Sequence, residues 1–307
     1  MTSNKAVMGF VGVDTARSSI MRLFPIWAEE LDLPARRLLG HDVPLGAPRE
    51  TYRGLIASIK EDDSYLGALV TTHKVAVLDA AGDLFDELDE FSQQCGEVSS
   101  IYKRDGTLWG AAKDPITAGL ALREFLPCGH FGATGGHVVC LGAGGAGTAI
   151  STYLAGTQDP PEHIVIADTS QASIDHVRDV HLRAGLPGGM VTYTRVLDTS
   201  DGSKLVADAP PQSLVINASG LGKDRPGSPI ASQTDFPERA VVWEINYRGS
   251  LEFLHQAEAQ EADRSLTVVD GWRYFIHGWS QVIGDVFDLD MSSEIVGRLS
   301  ELAEHVR

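Results

Sequence analysis

Between Val139 and Ile150 the chain reads VCLGAGGAGTAI, an apolar run followed by a glycine cluster and then by small apolar residues. Glycines at 142, 144 and 147 fit the three places a pyrophosphate-binding turn requires: a tight turn, close backbone approach by the anion, and close packing of helix on strand. Gly145 and Ala146 complete the loop. A helix opening there would turn its free N–H groups and positive dipole end toward the anion. Further on, IVIADTS closes a second apolar run with Asp168 and Thr169. A carboxylate at that strand end can accept hydrogen bonds from the ribose hydroxyls of NAD, and it repels the 2′-phosphate of NADP. No lysine or arginine lies within ADTSQAS to receive that phosphate. The pattern therefore reads as a dinucleotide site that favours NAD. Two plainer readings stay open: a glycine-rich turn, and an acid that caps the next helix, a task Thr169 or Ser170 could also perform.

The elements that must position this loop follow from the apolar periodicity. Strands are expected at 6–13, 35–43 and 65–71, with helices at 18–31, 50–61 and 75–92. Such alternation implies parallel strands with crossover helices. Two short runs in SSIYKRDGTLWGAA flank Asp105-Gly106, a pair favoured in tight hairpin turns. A helix at 116–126 and the glycine-spotted CGHFGATGG precede strands expected at 137–141, 163–167, 191–196, 213–217, 240–245 and 266–269. Helices are expected at 145–156 and 170–184, giving a Rossmann-type doubly wound pattern. The fold class is α/β: a domain over 1–118, joined by amphipathic helices in 270–307, and a dinucleotide-binding domain over 119–269.

Composition narrows the partners. Hydrophobic residues make up 43% of the 307-residue chain and charged residues 22%, values of an ordinary globular protein. A net charge of −17 argues against nucleic acid or an anionic membrane as partner. Cys95, Cys128 and Cys140 form no CxxC pair, so a reducing compartment without structural zinc is expected. The N-terminal stretch resembles neither a signal peptide nor an anchor, and no run approaches a membrane span. A cytoplasmic location is expected, with the chain a monomer or homodimer. His73, His255 and His277 lack metal-ligand spacing and no acid cluster accompanies them, so no metal is expected.

Several motifs taken together resemble the shikimate dehydrogenase family, over nearly the whole chain. GFVGVDTARSS is similar to the family's opening strand and paired-serine segment, which implies that Ser18 and Ser19 bind a substrate carboxylate. Arg17 and Arg22 stand nearby and could add charge. GALVTTHK resembles Asn-Val-Thr-x-Pro-x-Lys, which implies a catalytic Lys74 and a substrate-facing Thr71, although the asparagine and proline are absent. GEVSSI resembles Gly-Ala-Val-Asn-Thr-Ile, with Ser99 in place of the substrate-binding asparagine. DGTLWGAAKD is similar to the segment ending in Asn-Thr-Asp, which implies a catalytic Asp114. NASGLGK resembles the segment lining the nicotinamide side, implicating Asn217, Ser219 and Gly222. WEINYRGSLEFL places Glu244 at the usual aspartate and retains Tyr247 as a substrate contact. In DGWRYFIHGWSQ the family's substrate-touching glutamine falls on Gly278, or on His277 with a shift of one.

The resemblance implies an NAD-dependent oxidoreductase in which a Lys-Asp dyad exchanges the proton that accompanies hydride transfer. The altered substrate positions imply a hydroxylated ring related to shikimate, quinate or a cyclitol. Lys113, beside Asp114, could pair with a substrate anion or point to solvent. The alternative is a catalytically silent dinucleotide-binding regulatory protein on the same fold.

Overall fold

A computed structural model describes residues 6–223 and 225–306. Contacts divide the chain into two compact units, 1–113 with 276–307, and 114–275.

In the first unit the strands are β1 (Val7–Gly12), β2 (Arg37–Asp42), β3 (Tyr65–Val70), β4 (Glu87–Leu88), β5 (Ser100–Arg104) and β6 (Thr107–Ala111). Their order across the sheet is β2-β1-β3-β5-β6-β4. The β1–β2, β1–β3 and β4–β6 pairs are parallel, while β3–β5 and β5–β6 are antiparallel. Every residue of β1 is buried, which accounts for its unbroken apolar sequence. The β5–β6 hairpin turns on Asp105 and Gly106, at φ +51° and +79°, as a mirror-image turn needs. Helices Ile20–Glu30, Arg49–Glu61 and Lys74–Ala81 follow the strands as crossovers. Trp27 Nε1 donates to Leu299 O at 3.0 Å, fastening Ile20–Glu30 to the C-terminal helix Ser293–Glu304.

The helix expected over 75–92 is broken into pieces. Lys74–Ala81 runs into a 3-10 turn at Gly82–Leu84, then into β4, and Glu90–Cys95 forms a separate helix. Distant basic residues take the acids of the break: Arg53 bonds Asp83, and Lys60 Nζ reaches Asp86 Oδ1 at 2.8 Å. Asp89 caps the new helix through Ser92 N–H and also accepts from Ala112 N–H. These long-range bonds favour the break over continued helix.

The second unit holds β7 (Val138–Leu141), β8 (Ile164–Asp168), β9 (Val191–Arg195), β10 (Leu214–Asn217), β11 (Val241–Glu244) and β12 (Thr267–Val269). All pairs are parallel, in the order β12-β11-β10-β7-β8-β9. Counted within this unit that is 6-5-4-1-2-3, the doubly wound arrangement. Alternate strand residues serve two cores. Val138, Cys140, Ile164 and Ile166 pack with Ile150 and Ile174, whereas Val139, Leu141, Val215 and Val242 pack with Phe236 and Phe253. With both faces buried, the strands read as continuous apolar runs. The strand order reverses between the parallel neighbours β7 and β10, and their carboxyl ends mark the switch point where such sheets bind ligands.

Candidate dinucleotide and substrate sites

The loop after β7 shows what each glycine does. At Gly142 φ is +124°, and an added Cβ would lie 2.3 Å from the Ala218 carbonyl. This glycine lets the β7 and β10 loops touch. An added Cβ at Gly147 would fall 2.0 Å from Gly142 O and 3.3 Å from Cys140 Sγ, so helix Gly145–Ala155 sits directly on the turn. Gly144 differs from both. Its φ is −76°, it is exposed, and nothing lies within 4 Å of where a Cβ would stand. The protein's own atoms demand glycine at 142 and 147, while at 144 only an approaching ligand would. Beneath the loop, burial pushes the Cys140 thiol up to about 12, helped by the nearby Asp168 charge.

Asp168 braces this loop. Its Oδ2 accepts from Ala143 N–H at 2.8 Å and its Oδ1 from Ser170 N–H at 2.8 Å. Helix Gln171–Arg183 is capped by Ser170, whose Oγ accepts from Ser173 N–H. Asp168 therefore does not cap that helix. Beside it, Arg195 at the end of β9 donates from Nε to Thr169 O at 3.2 Å.

The loop after β10 is organised by buried side chains. Asn217 is fully buried, and its Oδ1 accepts from both Ser219 N–H and Ser219 Oγ. Its Nδ2 donates to Glu244 Oε2 at 2.6 Å and to Leu221 O at 3.3 Å. Asn246 completes the cluster, donating from N and Nδ2 to Glu244 Oε1 and from Nδ2 to Leu221 O. Burial lifts the Glu244 carboxyl to about 7, against the three donated bonds and the Lys223 charge. Asn217 and Ser219 thus shape the loop from within. Gly220 and Gly222, at φ +73° and +85°, carry its turns. Tyr247 belongs to an aromatic group, 4.2 Å from Phe275 and 5.9 Å from Trp272 between ring centroids.

In the first unit Lys74 begins helix Lys74–Ala81, and its carbonyl accepts from Val98 N–H at 3.2 Å. Next along, Ser99 is buried and its Oγ accepts from Lys113 N–H at 2.7 Å. Backbone links thus run from Lys74 through Val98 and Ser99 to Lys113, the residue before Asp114. Asp114 is buried and opens helix Asp114–Phe125. Lys113 does not point to solvent. Its ammonium lies 2.8 Å from Asp285 Oδ1, with both side chains under one-fifth exposed.

His73 is buried between Val43 O on Nε2 and Tyr52 Oη on Nδ1. Desolvation lowers its pKa, so it is a neutral packing group. Thr71 donates to Val11 O at 3.2 Å. Ser18 is buried, and Ser19 occupies the cap position of Ile20–Glu30 without a side-chain capping bond. Of the nearby arginines, Arg17 lies 3.8 Å from the exposed Asp14 and Arg22 donates to Val306 O. His277 is buried within helix Trp272–Phe287. Among the described residues no group of three His, Cys, Asp or Glu could hold a metal ion.

No protein-family model matches the chain. A shikimate dehydrogenase (NADP(+)) from an Exiguobacterium species is 26% identical over 270 residues, 88% of each chain. One from Streptococcus sanguinis is 29% identical over 163 residues; the match spans 53% of this chain and about half (54%) of that relative. A solved shikimate dehydrogenase in complex with NADP+ superposes at TM-score 0.75 with 19% identity, covering 100% of this chain and 98% of that one. In sequence and in fold the chain is similar to shikimate dehydrogenases. A quinate dehydrogenase from Corynebacterium glutamicum in complex with NAD superposes at TM-score 0.70 with 21% identity, covering 98% and 99%. The neighbours share with this chain the α/β fold with a Rossmann-type domain and a second domain.

Three residues are not singled out by the sequence motifs: Asn246, which lies within one of them, Asp285 and Arg195. Only Asn246 had a local signal, two residues past Glu244 at a strand end. Asp285 and Arg195 come into play through tertiary pairing.

Proposed function

We propose that the chain is an oxidoreductase of the shikimate dehydrogenase type, preferring NAD over NADP. It would transfer a hydride between the nicotinamide and a ring hydroxyl or ketone of a shikimate-, quinate- or cyclitol-like substrate. The observation that carries this reading is Gly144, a glycine with ordinary φ and open space above it, at the start of a helix on the switch point of a doubly wound sheet. The bound dinucleotide supplies the hydride acceptor or donor.

The rest falls to the chain's own groups. Gly142, Gly144, Gly145, Ala146 and Gly147 would offer backbone to the pyrophosphate. Asp168 and Thr169 would meet the ribose, since the Asp168 oxygens keep lone pairs beyond the two backbone bonds they accept. Residues 217 to 222 would border the nicotinamide through backbone, with Asn217 holding that backbone in shape. Lys74 and Asp114 would exchange the proton at the reacting oxygen. Ser18, Ser19, Thr71, Ser99, Tyr247 and His277 would contact the substrate. A polar site with these replacements selects a ring other than shikimate, because unpaired buried groups penalise the wrong pattern of hydroxyls. The domain over 1–118 with 270–307 would carry substrate, and 119–269 the dinucleotide, in a soluble cytoplasmic monomer or homodimer.

Calorimetric binding of NAD and NADP to wild type and Asp168→Arg tests the cofactor reading. NAD should bind more tightly than NADP, and the variant should reverse that order; binding of neither overturns the oxidoreductase assignment. A screen of cyclic polyols with NAD, with Lys74→Ala as control, tests the chemistry. Activity that survives in Lys74→Ala at the wild-type rate removes the dyad.

A further inference from the structure

At the end of β8 the chain meets a residue from the neighbouring strand. From Asp168 to Ser173 the sequence holds no basic side chain. Strand pairing brings one in: Arg195, the last residue of β9, is the register partner of Asp168. Its Nε donates to Thr169 O at 3.2 Å, which anchors the base of the guanidinium on the segment that follows Asp168. The bond engages a neutral carbonyl, so the positive charge is not cancelled, and the side chain is exposed. Two residues past the end of β9, Leu197 is 76% exposed. Asp168, meanwhile, is held by two backbone donors, Ala143 N–H and Ser170 N–H, whose dipoles offset part of its charge. An acid that is partly neutralised stands beside an anchored cation.

We propose that Arg195 is a specificity-determining residue that receives the 2′-phosphate of an adenosine ribose, so that the chain takes NADP as well as NAD. Asp168 sets the direction of the preference, and Arg195 limits its size. The planar fork of a guanidinium suits a phosphate dianion, and with Nε fixed the terminal Nη groups remain to donate. The free 2′-hydroxyl of NAD carries no charge, and its affinity depends little on Arg195. The inference rests on the dinucleotide reading of Gly142–Gly147.

The experiment is calorimetry of NAD and NADP on wild type, Arg195→Gln and Arg195→Lys, at two salt concentrations. Arg195→Gln should weaken NADP by about tenfold or more, the scale of one charge-assisted contact, and NAD by less than about twofold. Arg195→Lys should fall between, because it keeps the charge and loses the fork. The NADP advantage of wild type over Arg195→Gln should shrink at high salt. Equal losses for the two dinucleotides, or no loss of NADP, would overturn the role of Arg195 while leaving the dinucleotide reading standing. Wild type that binds NAD but no NADP also overturns it. Wild type that binds neither overturns the dinucleotide reading itself, an outcome seen before any variant is made.

Discussion

The two halves of the carboxyl edge of the second sheet are built on different principles. After β7 and β8 the edge is backbone: glycines, exposed N–H groups at a helix start, and one carboxylate bracing the turn. After β10 and β11 it is a buried polar cluster, in which Asn217, Glu244 and Asn246 bind one another and the loop. Backbone surfaces suit a ligand part that never changes, such as a pyrophosphate. A side-chain cluster holds a loop in one shape and makes that shape sensitive to each member.

Substitutions test that contrast, from the largest effect down. Gly142→Ala forces a side chain into φ +124° and against the Ala218 carbonyl. It should cost about 3–5 kcal/mol in chemical unfolding, where ordinary surface changes cost under about 0.5. Asn217→Ala should cost about 2–3 kcal/mol, since it strands a buried carboxylate oxygen and two donors of Ser219. A loss as small as a surface change would show that the β10 loop does not depend on its cluster.

Glu244 should make the cluster pH-sensitive. Its carboxyl is raised from 4.5 to about 7 in the folded chain. Between those values the folded state holds a proton that the unfolded state has released, so stability falls as pH rises from 4.5 to about 7 and levels off above it. Glu244→Gln should flatten that slope while lowering stability by about 1–3 kcal/mol throughout, because its amide meets donors. Unfolding titrations at pH 5 and 8 measure the difference; an unchanged slope assigns it to another group. Asp285→Asn should cost about 1–2 kcal/mol by weakening the half-dry pair with Lys113. Gly144→Ala is the sharpest case: unfolding within about 1 kcal/mol of wild type, with dinucleotide affinity reduced about tenfold. If its affinity is untouched, Gly144 is an ordinary turn residue.

The second unit was legible nearly strand by strand, because strands buried on both faces leave continuous apolar runs punctuated by glycine. The Asp105-Gly106 hairpin was legible because both residues must adopt positive φ. The break in 75–92 was not: its apolar spacing suits a helix, and what ends it is Arg53, Lys60 and the pairing of β4 with β6. The partner of Lys113 was illegible for a similar reason, since Asp285 reaches it from near the other end of the chain. The absence of a basic residue near Asp168 was true locally, yet register brings Arg195 across from β9. Side-chain pairing across long separations leaves little trace in a local window.

The three thiols make the chain its own stopwatch. Cys128 is exposed, Cys95 and Cys140 are buried, and the Cys140 sulfur lies directly beneath the glycine turn. A thiol reagent on the native protein should label Cys128 at once and Cys140 only when β7 opens. The rate of that second event, followed by mass with and without dinucleotide, times the breathing of the strand that carries the loop. Slower labelling in the presence of NAD would report occupancy without any substrate being known.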